Sequence, residues 1–163
     1  MTPAQVAAAR ARVGHMSRLR RYSLYFASAG ICVTGAVWLY AHYFLQVIDS
    51  FGFESAHPAE KWSLIAHAAV SFYGIWWFGL LWPNHIYKSW KARIRRLTGG
   101  LLFGCIAWLT VTGYALYYIG SETVRSWFSI LHWVVGLAAA VAFAVHLRTR
   151  SPRSATNGNG DRQ

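Results

Sequence analysis

The sequence contains a long apolar segment of 21 residues, 127–147, which carries a histidine near each end, His132 and His146. About 20 apolar residues in a helix span the core of a bilayer. An α-helix turns about 100° and rises about 1.5 Å per residue. The 14-residue step between the histidines therefore returns to within about 40° of the same face, about 21 Å further on. The segment predicts a membrane-spanning helix with one imidazole near each surface, both on one side.

Three further apolar segments precede it, at residues 22–47, 62–82 and 98–119, and each is long enough to cross a bilayer. The composition favours a membrane protein over a soluble globule, because 55% of the residues are hydrophobic, 13% are charged and the mean hydropathy is +0.27. Short connections make consecutive helices antiparallel neighbours. The predicted fold class is all-α, an integral membrane up-down four-helix bundle formed by residues 22–147 within the lipid bilayer.

Lysine and arginine are concentrated on one side of this predicted bundle. Five of the 16 precede the first segment, five lie between the second and third, and four follow the fourth, so 14 share a side. Four of the five acidic residues lie opposite. The positive-inside rule then predicts that both termini are cytoplasmic, in a multi-pass protein of the bacterial inner (cytoplasmic) membrane. The charge of +11 does not predict nucleic-acid binding, because the basic residues flank apolar spans.

The chain ends are expected to be peripheral to the bundle. Residues 1–21 are basic and predict an N-terminal interfacial segment against anionic headgroups, and residues 148–163 predict a disordered cytoplasmic tail. The two cysteines, Cys32 and Cys105, have no spaced partner and give no support to disulfide or zinc chemistry. The sequence also has no C-x-x-C-H motif, which excludes covalent haem attachment of the c type.

Two more histidines, His67 and His85, lie on the second segment and at its inner end. Their 18-residue spacing is about five full helical turns, so both fall on nearly one face. Because the second and fourth segments are antiparallel, His67 matches His132 in depth and His85 matches His146. Neutral imidazoles facing each other in an apolar bundle are suitable axial ligands for haem iron, although a buried histidine can also simply bond a backbone carbonyl. We therefore predict two haem b groups, held by His67 with His132 and by His85 with His146.

The spacing of the inner pair leaves alternatives open. The 18 residues from His67 to His85 rise about 27 Å in a straight helix, whereas the 14 from His132 to His146 rise about 21 Å. His85 and His146 therefore reach the same depth only if the second helix bends, and Pro83 is suited to cause that bend. His15 is an alternative to His85 at the inner haem, and His42 is an alternative ligand of the outer haem.

The two halves of the chain contain similar segments, VTGAVWLY from Val33 and VTGYALYY from Val111. Each is followed by a segment with two histidines, so an ancient duplicated hairpin is one interpretation and coincidence is the other. Basic residues at the rims are candidate partners of haem propionates or ordinary interfacial anchors: Lys61, Arg125, Lys88 and Arg148.

Taken together, these residues resemble the small four-helix, di-haem membrane cytochromes b, which include bacterial cytochrome b561 and the cytochrome b subunits of formate dehydrogenases and hydrogenases. The likeness is carried by His132 and His146 at their spacing, by His67 and by the basic inner ends. It implies an electron-transfer subunit of a quinone-linked oxidoreductase complex in a respiratory chain. A bound quinone and a partner redox protein (a cytochrome or dehydrogenase) are then expected, the partner on the outer side, where the acidic loops lie.

Two other classes of function remain compatible with the sequence. One is a haem-free structural or assembly subunit, in which the histidines only form hydrogen bonds between helices. The other is a transporter that uses the histidines to carry metal ions or protons.

The charge asymmetry generates a direct test of orientation. Reporter domains fused at residue 92 and at the C-terminus are both expected to be cytoplasmic, because the positive-inside rule acts on the short loops. A periplasmic signal from either fusion would contradict the predicted topology.

Overall fold

The computed structural model describes residues 17–48, 50–93 and 95–148. Four of its helical stretches are long and apolar enough to cross a membrane: Arg18–Phe44, Pro58–Lys91, Arg96–Ala115 and Glu122–Arg148. The predicted all-α four-helix membrane bundle is therefore confirmed. The predicted N-terminal and C-terminal segments lie outside the described residues, apart from 17–21 and Arg148.

The first helix, α1 (Arg18–Phe44), begins at Ser17, whose hydroxyl accepts a hydrogen bond from the backbone N–H of Arg20 at 3.4 Å. A side-chain oxygen at this position satisfies a helix N–H that has no backbone acceptor. Residues 18–21, which the sequence placed in an interfacial segment, form the first turn of this helix.

A small antiparallel ribbon connects α1 to the next helix. Strand β1 (Gln46–Ile48) pairs with β2 (Glu54–Ala56), with Val47 opposite Ser55. Gly52 in the turn has a φ of +86°, a conformation that glycine adopts without steric cost. All six strand residues are exposed, so the ribbon lies outside the packed bundle.

The second helix, α2 (Pro58–Leu81), starts with two features that favour a helix N-terminus. Pro58 occupies the first turn, and the His57 side chain accepts a hydrogen bond from the N–H of Ala59 at 3.1 Å. The sequence placed the end of this span at Pro83, but the helix continues through a π-helical turn, Trp82–Ile86, into α3 (Tyr87–Lys91). Proline has no backbone N–H to donate, and the wider π-helical turn allows the helix to continue past it.

Two residues in the left-handed region, Arg93 (φ 54°) and Arg95 (φ 48°), then reverse the chain. The remaining helices are α4 (Arg96–Ala115) and α5 (Glu122–Arg148). All four spanning helices begin two to five residues before the predicted apolar segments, because their first turns are polar.

The bundle consists of two helical hairpins. In the first hairpin α1 packs along α2, and in the second hairpin α4 packs along α5. Aromatic contacts join the hairpins: Tyr25 meets Phe143 edge-on at 6.3 Å, and Phe78 lies 5.6 Å from Phe103, measured between ring centroids.

The outer surface is apolar, as lipid exposure requires. Large side chains such as Phe72, Leu97 and Val141 are 74%, 88% and 65% exposed. A water-soluble monomer does not carry so much contiguous exposed apolar surface. The protein is therefore a multi-pass membrane protein.

The seam of the first hairpin allows a test of packing. A Cβ added to Gly30 would lie 2.9 Å from Cγ1 of Val70, whereas one added to Gly104 would meet nothing within 4 Å. Gly30→Ala is expected to be less stable than Gly104→Ala by about 1–3 kcal/mol. Both substitutions raise the helix propensity, but only the alanine at position 30 overpacks the interface between α1 and α2. Thermal unfolding in detergent compares the two variants, and equal melting temperatures would contradict this packing.

Candidate metal centre

A cleft of about 3330 Å³ runs between the two hairpins and is lined by residues of α1, α2, α4 and α5. Common small-molecule pockets measure roughly 300–1,000 Å³, so this cleft has room for bulky ligands. All four predicted ligand histidines border it: His67, His85, His132 and His146.

His67 is held by the neighbouring helix of its own hairpin. Its Nδ1 lies 3.0 Å from Oγ1 of Thr34 and 3.1 Å from the carbonyl oxygen of Ile31. The Thr34 hydroxyl donates its proton to the carbonyl of Gly30 at 2.7 Å. Both partners of Nδ1 are thus acceptors, and the imidazole donates its N–H to them.

His132 has the same arrangement in the second hairpin. Its Nδ1 lies 2.8 Å from Oγ1 of Thr112, whose hydroxyl donates to the carbonyl of Trp108 at 2.8 Å. Thr112 is 1% exposed, so this contact is shielded from lipid and solvent. With its own proton on the Trp108 carbonyl, the Thr112 oxygen is placed to accept the N–H of His132.

The Ile31 carbonyl requires Nδ1 of His67 to be the protonated nitrogen, and the Thr112 contact of His132 is compatible with the same tautomer. An imidazole that donates from Nδ1 has an unprotonated Nε2 with a lone pair available for a metal. Metal-binding histidines commonly donate their other ring N–H to an acceptor, which orients the ring. With Nδ1 donating, Nε2 of each ring would be the atom that binds a metal.

The separation of the two rings agrees with a single metal ion between them. Their centroids are 6.5 Å apart, with planes at 79°. Ring bonds of about 1.33 Å place each nitrogen about 1.1 Å from the ring centre. With metal–nitrogen bonds of about 2.0–2.1 Å, two imidazoles on opposite sides of one ion have centroids about 6.3 Å apart. The outer pair thus fits axial ligation of haem iron.

The glycine after each threonine leaves room for the histidine ring of the neighbouring helix. A Cβ on Gly35 would lie 3.2 Å from Cε1 of His67, and one on Gly113 would lie 3.3 Å from Cε1 of His132. The repeated V-T-G segments are therefore equivalent in contact as well as in sequence: threonine accepts the ring N–H and glycine admits the ring.

A third threonine–glycine step lies at the inner end of the second hairpin. Oγ1 of Thr98 is 3.2 Å from Nδ1 of His146, and a Cβ on Gly99 would lie 3.9 Å from its Cε1. His85 belongs to the π-helical turn and lines the same cleft, half-exposed. The predicted pairing of His85 with His146 remains a prediction.

The other histidines have different surroundings. His42, the alternative outer ligand, places Nδ1 2.8 Å from Oε1 of Glu60, and the ring that faces His132 is that of His67. The His57 side chain caps α2 by accepting the N–H of Ala59. His15, the alternative inner ligand, lies outside the described residues.

Arginines near the inner mouth of the cleft were missed by sequence reasoning. Of the four basic candidates from the sequence, only Arg125 lines the cleft, and Nζ of Lys88 donates to Asn84 at 3.2 Å. Five other arginines contribute to the lining: Arg18, Arg21, Arg93, Arg95 and Arg96. Arg93 and Arg95 adopt left-handed backbone conformations, which are not evident from the sequence. These conformations set the directions of the Arg93 and Arg95 side chains.

Two further observations bear on the kind of ligand. Trp133 lines the cleft, and its buried indole N–H has no protein acceptor among the described residues. Within those residues, no three His, Cys, Asp or Glu side chains gather into a group that could hold a bare metal ion. Two facing imidazoles are the axial set that haem uses, since the macrocycle supplies the other ligands of the iron.

Comparison with protein family models, curated proteins and solved structures finds no match to this chain.

The threonine–histidine contact can be tested without a cofactor. Thr112→Val keeps the shape but leaves the His132 N–H without its acceptor, so we expect a loss of about 1–3 kcal/mol in stability. Thr110→Val is the matched control, because that exposed hydroxyl bonds only the Ile106 carbonyl of its own helix. Thermal unfolding and nitrogen NMR of His132 compare the variants. An unchanged melting temperature and an Nε2-protonated tautomer in the unmodified protein would contradict the assignment.

Proposed function

We propose that this protein is a transmembrane electron-transfer cytochrome of the b type, carrying two haem groups at different depths of the bundle. His67 and His132 would hold the outer haem, and His85 and His146 the inner one. The orientation in the bacterial inner membrane, with both termini cytoplasmic, belongs to the same proposal. Electrons would pass between the quinone pool and a partner redox protein.

The observation that carries the proposal is the geometry of the outer pair. Two imidazoles approach to 6.5 Å between centroids, and Nδ1 of each forms a hydrogen bond with a threonine hydroxyl on the neighbouring helix. A haem-free structural subunit has no need for two unprotonated nitrogens beside a cleft of this volume. Metal transport through a bare-ion site is supported less, since ligands beyond the two imidazoles are required.

Haem iron supplies reversible one-electron transfer when it is bound by two histidines, and the protein tunes its potential. In this chain the threonine hydroxyls orient the ligand rings and increase their basicity. Most of the cleft lining is apolar, which affects the potential as well. Arginines at the inner mouth are suited to bind propionate groups through charge-assisted hydrogen bonds.

A larger assembly is part of the proposal. The described extramembrane parts are a short ribbon and short turns, which offer little surface for a soluble substrate. Acidic residues of the outer loops, such as Glu54 and Glu122, could dock a basic surface of the partner protein.

The proposal is tested by optical spectra and haem counts of the purified protein. The unmodified chain is expected to show a reduced α band of b type with two haems. Replacing His132 with alanine should remove only the outer haem, and replacing His146 should remove only the inner one, because each loses an axial bond. His57→Asn is the control that keeps both haems and the helix cap.

The single variants also distinguish the alternative ligands. If His85→Ala keeps both haems while His15→Ala loses one, the inner pairing is wrong. If His42→Ala loses the outer haem while His67→Ala does not, the outer pairing is wrong. A protein without any haem band, produced with full haem supply, would leave the haem-free membrane subunit as the explanation.

A further inference from the structure

The outer rim of the first hairpin contains a hydrogen-bonded acid–imidazole pair. Nδ1 of His42 on α1 lies 2.8 Å from Oε1 of Glu60 on α2. Both side chains line the cleft, although His42 is 44% and Glu60 22% exposed. The pair therefore faces the cleft from its outer mouth.

The pair lies on the same seam as the outer ligand site. Glu60 precedes His67 by seven residues, and His42 follows Gly35 by seven. Seven residues are nearly two helical turns, so the pair is on the same faces, about 10 Å further out. All four of these residues border the same cleft.

Chemistry and shape at this rim suit a flat ring that carries polar oxygens. A carboxylate only accepts hydrogen bonds, so His42 donates from Nδ1 and its Nε2 can accept the hydroxyl of a reduced aromatic ring. The protonated imidazole would instead donate to a carbonyl of the oxidised ring. Trp38, also in the lining, stacks on the His42 ring at 4.8 Å and 12°, which fixes the imidazole plane.

The fold itself does not require this pair. The second hairpin has the same threonine, glycine and histidine contacts, yet the residue seven before His132 is Arg125. In that hairpin α4 has already ended at Ala115, so no helical position equivalent to His42 exists. The acid–imidazole pair is thus a feature that only the first hairpin adds.

We infer that His42 and Glu60 form the binding site for a quinone head group at the outer mouth of the cleft, an inference that rests on the proposed function. The imidazole hydrogen-bonds one ring oxygen in either redox state, and Glu60 holds the imidazole in place. The apolar walls of the cleft receive the ring, and the isoprenoid chain extends into lipid between the hairpins.

The test measures binding of a short-chain benzoquinone to the full chain in detergent by calorimetry. Glu60→Gln and His42→Phe are each expected to raise the dissociation constant at least tenfold, which corresponds to about 1.4 kcal/mol. Phenylalanine retains the stacked ring without its nitrogens, and glutamine retains the shape without the charge. Glu54→Gln removes the same charge from the outer ribbon and should stay within twofold of the unmodified protein.

Haem spectra and melting temperatures are recorded on the same samples. If both haems are present and Glu60→Gln binds the benzoquinone as tightly as the unmodified chain, the inference is overturned while the proposed function stands. A variant that melts earlier but binds normally identifies the pair as a structural link only, which also overturns the inference. Should His42→Phe fail to fold, Glu60→Gln decides alone. Absence of haem from the unmodified chain would refute the proposed function instead.

Discussion

A polar ring inside a membrane must satisfy its N–H within the protein, because lipid offers no acceptor. In this protein threonine hydroxyls meet that constraint for three histidines, His67, His132 and His146. At the two outer positions the threonine hydroxyl has a carbonyl of its own helix to donate to, which leaves its oxygen lone pairs for the proton of the ring. The close approach of the helices in each hairpin and the direction of each ring both follow from this contact.

Much of the fold was predictable because lipid imposes a simple rule on sequence. Apolar length identified the four helices, and the facing of His67 and His132 followed from antiparallel spans. The exposed β-ribbon was not predicted, since its strands are short and have no buried face. The continuation of the helix past Pro83 was also missed, because proline usually ends or kinks a helix and a π-helical turn has no clear sequence signal.

At the candidate site the sequence identified the histidines but not their partners. The V-T-G likeness was noticed as a possible sign of duplication, while its role became visible only when threonine and histidine were brought together by hairpin packing. Thr98 gave no signal, because a threonine within a helix usually bonds its own backbone. The signal that could have identified it is arithmetic: Thr98 and Thr112 are separated by the same 14 residues as His132 and His146.

The equal 14-residue intervals in α4 and α5 constrain how the second hairpin can vary in length. Inserting or deleting one residue between Thr98 and Thr112 would rotate one contact by about 100° and shift it by about 1.5 Å relative to the other. A compensating change at the matching depth of α5 would be needed to restore both contacts. The strands of the ribbon between α1 and α2 are exposed on both sides, so a change in their length disturbs little of the packed bundle. Among relatives of this chain, insertions and deletions should therefore collect in the outer ribbon, while the interval of fourteen stays the same in both helices of the second hairpin.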